Sequence, residues 1–145
     1  MEINVEGEPE MDLDFNSESN GINPELMNPL VWAYIGDAVY ELYVRVHLVT
    51  RGPSKVNRLH SESIKYVKAS AQADFVRKIT ENLNEDEIRI MKKGRNTKST
   101  VPKNADVTDY RYSTGLEGLL GYLYLQNKKE RLMEILRMLD LEKEA

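Results

Sequence analysis

Between Asn28 and Arg51, apolar residues recur at three- and four-residue steps: Val31, Ile35, Ala38, Leu42, Val46 and Val49. That spacing draws a stripe along one side of an α-helix. Gly52-Pro53 ends the helix, because proline lacks an amide donor and restricts the residue before it. A second helical region opens at Ser54 and runs to about Thr80, with Ile64, Val67, Ala71, Phe75 and Ile79 on its buried side. Its first part, Val56 to His60, is a candidate for a separate turn. Asn84 with Glu87 three residues on forms a capping box, which starts a third helix ending near Gly94. Residues 95–108 (RNTKSTVPKNADVT) are rich in turn formers and predict a loop. A fourth helix is predicted from about Asp109 to Gln126, with Leu116, Leu119, Leu120 and Leu123 as its core face. Asn127 breaks that pattern, and a fifth helix covers about Lys129 to Leu139. Val and Ile never alternate over a strand's length, so the predicted fold class is all-α. No internal repeat of solenoid period is present.

The length, 145 residues, suggests one domain. There is no cysteine, hence no disulfide framework and no thiolate metal site. His47 and His60 alone cannot build a His-rich zinc site. Residues 1–25 lack an apolar signal core, and no apolar run reaches membrane-spanning length. A soluble, cytoplasmic protein is the expectation. The net charge of −4 conceals a segregation: residues 1–25 hold 8 of the 24 acids and none of the 20 Lys and Arg, which leaves residues 26–145 at +4. The expected organisation is therefore an acidic, loosely held tail over residues 1–25 and a mildly basic domain over residues 26–145. Such asymmetry points to a polyanion partner.

Two acids interrupt the helices. Asp37 stands behind a glycine in LVWAYIGDAVYELYV, on a helical face with Ala33 and Glu41. Glu117 stands in GLEGLLGYLYL, on a face with Ser113 or Thr114 and Gly121. Small residues surround both. Glycine inside a helix costs about 1 kcal/mol relative to alanine, so Gly115, Gly118 and Gly121 together suggest a closely approaching backbone. The first and fourth predicted helices are expected to cross tightly with Asp37 and Glu117 at the crossing. Two carboxylates that close need a counterion, and Mg²⁺, with Mn²⁺ as a substitute, suits carboxylate and water oxygens. The competing structural reading is that Glu117 bonds Tyr or Ser hydroxyls in the core while Asp37 pairs with Lys or Arg. Glu41 is more simply a solvated or salt-bridged residue, and the two histidines serve packing or the surface.

At these residues the chain resembles a known family. YIGDAVYELYVR resembles the signature helix of the ribonuclease III family, and YRYSTGLEGLLGYLYL its second acidic helix. The KKGRNTK…VPKNADV loop and the short length resemble the Mini-ribonuclease III branch, which has the catalytic domain without a double-stranded RNA-binding domain. The resemblance covers about residues 26–140. It implies the ribonuclease III helical fold and a metal-dependent endoribonuclease that cleaves double-stranded RNA to 5′-phosphate and 3′-hydroxyl ends. It also implies a homodimer with signature helices at the two-fold axis, and a role in maturing the ends of large-subunit (23S) ribosomal RNA. A ribosomal protein on the precursor is a candidate partner. Asp37 falls on the family's essential Asp, and Glu117 on its metal-binding Glu. The family's other two acids are Ala33 and Thr114 here, so weaker metal binding with more water ligands is implied.

Without an appended RNA-binding domain, the catalytic body must grip the duplex. The densest basic segment is Arg89, Lys92, Lys93, Arg95, Lys98 and Lys103, with Arg111 beyond it. The candidate RNA contacts are Lys92, Lys93, Arg95, Lys98, Lys103 and Arg111; a solvated helix end is the competing reading. The apolar surplus of the first helix (Leu30, Trp32, Tyr34, Tyr40, Tyr43) is expected to supply the dimer surface. The acidic tail could lie across the basic groove and compete with RNA. Rival functions are a non-catalytic RNA-binding or ribosome-assembly module on the same fold, and a generic helical interaction domain.

Overall fold

The computed structural model describes residues 22–141. Most of the acidic tail therefore lies outside the described residues. Among the described residues, six α-helices follow one another: α1 (Pro29–Val49), α2 (Val56–Val67), α3 (Ala69–Ile79), α4 (Glu85–Asn96), α5 (Val107–Leu125) and α6 (Lys129–Leu136). No strand occurs among the described residues, as the all-α expectation requires.

The ends of these helices follow from local chemistry. Asn28 caps α1 by accepting from the Leu30 amide at 2.8 Å, and Pro29 occupies the first turn, where its missing N–H costs nothing. The capping box at α4 is complete: Asn84 accepts from the Glu87 amide, and Glu87 accepts from the Asn84 amide. α5 begins two residues before its predicted start, because the Asp106 carboxylate accepts from the Asp109 amide at 2.9 Å. Asn127, with φ at 61°, terminates α5 in the left-handed region that asparagine tolerates.

α5 is the central post. Leu116, Leu119, Leu120 and Leu123 are buried as predicted, and α1, α3 and α4 pack around them. α1 crosses it through Gly36 and Gly121. A methyl group on Gly36 would lie 1.7 Å from the Glu117 carbonyl oxygen, and one on Gly121 would lie 1.8 Å from that of Trp32. No side chain fits there, which confirms the expected tight crossing. α4 repeats the device less severely at Gly94 and Gly115. Gly118 has room for a methyl group, so close approach does not explain all three glycines of α5.

Two expectations need correction. First, the stripe of Val31, Ile35, Ala38, Leu42, Val46 and Val49 faces away from the core, and Val31, Leu42 and Val49 are exposed. The buried side of α1 is Trp32, Ala33, Gly36, Tyr40, Tyr43, Val44 and Leu48. α1 is apolar almost all round, so periodicity alone could not choose between its faces. The apolar surplus is accordingly not Trp32, Tyr40 and Tyr43, which are core. It is the exposed Tyr34 and the outer stripe, of which Ile35, Ala38, Leu42 and Val46, with Tyr124, Leu132 and Met133, line an apolar groove of about 310 Å³.

Second, residues 54–80 are not one helix, and the break is not at Val56–His60. It lies at Lys68, whose ψ of 155° is extended. In a continuous helix the carbonyls of Tyr66 and Val67 would accept from amides four residues on. Here the Tyr40 hydroxyl donates to Tyr66 O at 3.0 Å, and the Gln72 side-chain amide donates to Val67 O at 2.8 Å. The break thus satisfies its own carbonyls with side chains, one of them from α1. It also turns the buried side: Ile64 is exposed, whereas Phe75, Val76 and Ile79 are buried.

Candidate active site

The Gly36–Gly121 crossing brings Asp37 against Glu117. Asp37 interacts electrostatically with both Glu41 and Glu117. Glu117 sits deeper, half-buried, while Asp37 is on the exposed side. Among the described residues, Gln72 Nε2 is the side-chain donor to Glu117, 3.1 Å from Oε2. Among the described residues, neither acid is ion-paired with a Lys or Arg. The structural reading of Asp37 as half of a salt bridge therefore finds no support there.

The electrostatics follow from this isolation. Burial pushes the Glu117 carboxyl up to about 8; the charges of Asp37 and Glu41 push the same way, and the Gln72 donation opposes them. Asp37 is also raised, first by desolvation and then by Glu41. Tyr40 is raised by burial and by the nearby charge of Glu117. Fully ionised, the site would hold more negative charge than its surroundings stabilise, so Glu117 keeps its proton near neutral pH, and a bound cation would relieve that penalty. The donor set of hard carboxylate oxygens suits a divalent cation of the Mg²⁺ type. No group of three or more His, Cys, Asp or Glu converges in ligating positions among the described residues. A cation here would take much of its shell from water and substrate.

Ala33 and Thr114 explain part of that sparse donor set. Both are buried, at 7% and 6% exposure. Ala33 packs in the core, and the Thr114 hydroxyl donates to Tyr110 O at 3.1 Å. Carboxylates at these places would add desolvation cost beside an acid pair already short of positive charge.

The basic candidates sit along α4, the following loop and α5. Lys92, Lys93, Lys98, Lys103 and Arg111 are exposed. Arg95 is half-buried: its Nε donates to Asn96, and its guanidinium lies 5.6 Å from the centroid of the Tyr112 ring. Arg77, from α3, lies 5.4 Å from the same centroid. Arg89 is committed elsewhere, pairing with Glu25 at 2.8 Å and Asp86 at 2.6 Å. Glu25 is held down to about 2, chiefly by Arg89 and then by the Tyr122 hydroxyl. With Trp32 Nε1 donating to Pro24 O at 2.8 Å, this pins residues 24–25 to the body beside α4. His47 stacks on Tyr43, and His60 is exposed. Neither belongs to the acid pair. Gln72 was missed from sequence; its signal is weak, a lone amide on the otherwise apolar side of α3.

A model of the ribonuclease III domain matches residues 30–128, a span that contains both acids and the crossing between them. The chain belongs to the ribonuclease III family. It is 54% identical over 114 residues to the Mini-ribonuclease 3 of Clostridium tetani, covering 77% of this chain and 76% of that protein. It is 53% identical over 113 residues to the Mini-ribonuclease 3 of a Thermoanaerobacter species, covering 77% and 80%. The X-ray structure of a Fusobacterium nucleatum protein superposes with a TM-score of 0.71 at 30% identity, over 78% of this chain and 91% of that one. The fold and the resemblance read from the sequence are thereby confirmed. The protein is an endoribonuclease of double-stranded RNA that leaves 5′-phosphate ends. Ribonuclease III enzymes depend on a divalent metal and work as dimers. No helix among the described residues is long and apolar enough to cross a membrane.

Proposed function

We propose that Asp37 and Glu117 hold the divalent metal, Mg²⁺ with Mn²⁺ as a substitute, and that the enzyme matures 23S ribosomal RNA ends in the cytoplasm. The observation that carries the metal reading is Glu117: a half-buried carboxylate beside a second acid, with a neutral amide as its side-chain donor. When bound, the metal supplies a Lewis acid for a phosphoryl oxygen and a water of lowered pKa. The chain's own part is positional. Asp37 and Glu117 present oxygens from two helices locked by the Gly36–Gly121 crossing, so their separation is set by backbone contact. The basic residues Lys92, Lys93, Arg95, Lys98, Lys103 and Arg111 hold phosphates of an A-form duplex, whose major groove is too narrow to be read by side chains. The outer stripe of α1 is the dimer surface in this reading, since an apolar groove of this kind marks an interaction site. Two-fold symmetry then gives each RNA strand one acid pair. The ribosomal RNA substrate, and a ribosomal protein bound to it, rest on the similarity to Mini-ribonuclease 3 proteins.

The test is a duplex 23S precursor incubated with wild-type protein and Asp37→Asn, with and without Mg²⁺. The expected outcome is metal-dependent cleavage that disappears in the variant while RNA binding survives. Binding without cleavage by the wild type would instead favour a ribosome-assembly module. Equal cleavage of unrelated duplexes would remove the ribosomal assignment and leave the nuclease.

A further inference from the structure

The break between α2 and α3 meets the acid pair at one side chain. Gln72 is 2% exposed. Its Nε2 donates to Val67 O at 2.8 Å and to Glu117 Oε2 at 3.1 Å, which uses both of its hydrogens. Its Oε1 is buried and has no partner. Turning the amide over would set its oxygen against two acceptors, so these two bonds fix its orientation. A buried acceptor is left unsatisfied while both donors are used, and such an exception calls for a reason. Val67 is the last residue of α2, and the neighbouring Tyr66 carbonyl is held by the Tyr40 hydroxyl of α1. Gln72 therefore ties the carboxylate of Glu117 to the fixed ends of two helices.

We propose that Gln72 is a positioning residue for cleavage, fixing one oxygen of Glu117 so that the carboxylate meets the metal in one rotamer. The inference rests on the reading of Glu117 as a metal carboxylate. The chemistry of the donor favours it. An Arg or Lys in this place would neutralise Glu117 and compete with the cation. An amide orients the carboxylate and leaves its negative charge in place. A glutamate has three side-chain torsions, and a metal that meets it already ordered loses less freedom on binding. Partners of this kind, one shell behind the ligands, commonly change metal affinity about 10–100-fold when removed. The same amide explains why the helix break belongs to the site: the Val67 carbonyl is the second anchor that stops Gln72 from following Glu117.

Gln72→Met keeps length and volume and removes both donors; Gln72→Asn, too short to reach both acceptors, serves if the methionine variant does not fold. Mn²⁺ binding to RNA-free protein is followed by electron paramagnetic resonance, beside the Mg²⁺ dependence of cleavage and the affinity for duplex RNA in EDTA. The expected result is Mn²⁺ affinity weakened about 10–100-fold, a matching rise in the Mg²⁺ needed for half-maximal cleavage, and unchanged RNA affinity. Cleavage at saturating Mg²⁺ should return to within a few-fold of wild type. Unchanged Mn²⁺ affinity and Mg²⁺ dependence, even with a lower melting temperature, would overturn the proposal and leave Gln72 as a brace for the helix break. Glu117→Gln separates the two readings. If it cleaves like wild type, the metal site itself is wrong. If it is inactive while Gln72→Met keeps wild-type metal dependence, only the role of Gln72 is lost.

Discussion

Two glutamates lie inside this domain, and their surroundings are opposite. Glu87, at 5% exposure, accepts from Arg131 Nε at 2.8 Å and Nη2 at 2.9 Å, and from the Asn84 amide at 3.0 Å. These bonds outweigh desolvation, and its carboxyl is held below the usual range. Glu117 has one neutral donor and two acids for neighbours, and its carboxyl is pushed up to about 8. Both sit on helices that approach through glycine. A folding requirement alone would have given Glu117 an arginine as well. An acid kept in the interior without a cationic partner marks a place where charge is supplied from outside.

The largest expected effect breaks this contrast at the chemistry. Glu117→Gln should lower the cleavage rate by about 100–1,000-fold, the scale of losing one charge-stabilising group, while the fold and duplex binding remain. Glu87→Gln should do the reverse. It leaves Arg131 poorly paired and costs about 3–5 kcal/mol of stability, measurable by urea unfolding, with cleavage per folded molecule preserved.

The next effect concerns the crossing that positions the acids. Gly121→Ala places a methyl group 1.8 Å from the Trp32 carbonyl oxygen, so α1 and α5 must separate. A loss of about 1–3 kcal/mol or more is expected, together with a large fall in cleavage because Asp37 and Glu117 part. Gly118→Ala, where the nearest atom is 3.7 Å away, should be neutral or slightly stabilising. Equal outcomes for the two variants would show that the crossing does not set the site.

A third comparison uses pH. In metal-free protein, Glu117 is raised from 4.5 to about 8, so the folded state binds the extra proton between those values. Stability should fall as pH rises through that window, by a few kcal/mol in all. Glu117→Gln should flatten the slope. Glu87 is shifted the other way, and its contribution is present above its unfolded pKa and lost as pH falls below about 4.5. Unfolding in EDTA from pH 3 to 9, with both single variants, separates the two acids.

The smallest effects lie on the basic surface. Lys92→Ala and Lys98→Ala should each flatten the slope of log RNA affinity against log salt by about 0.7–0.9 if each loses one phosphate contact. Arg89→Ala, already spent on Glu25 and Asp86, should change that slope little and lower stability instead.

Much of this was legible in the sequence because the features were local. The capping box at Asn84, the leucine face of α5 and the acids behind glycines all announce themselves within a few residues. The failures share a different cause. The stripe of α1 was assigned to the wrong side because both sides are apolar, and only the position of α5 decides which is core. The break at Lys68 has no proline or glycine to mark it; its bonds come from Tyr40, on another helix, and from Gln72. Gln72 was missed for the same reason, since its importance lies in what it touches.

Glu117 is an unpaired interior acid that ionises fully only when a cation binds, and metal-linked proton release tests this most directly. Mn²⁺ binding to RNA-free enzyme at pH 7 is measured by titration calorimetry in two buffers of different ionisation enthalpy. With Glu117 mostly protonated beside Asp37 and Glu41, binding should release about one proton per metal bound, and Glu117→Gln should abolish that release. Binding without proton release in the wild type, or the same release in the variant, would contradict the account.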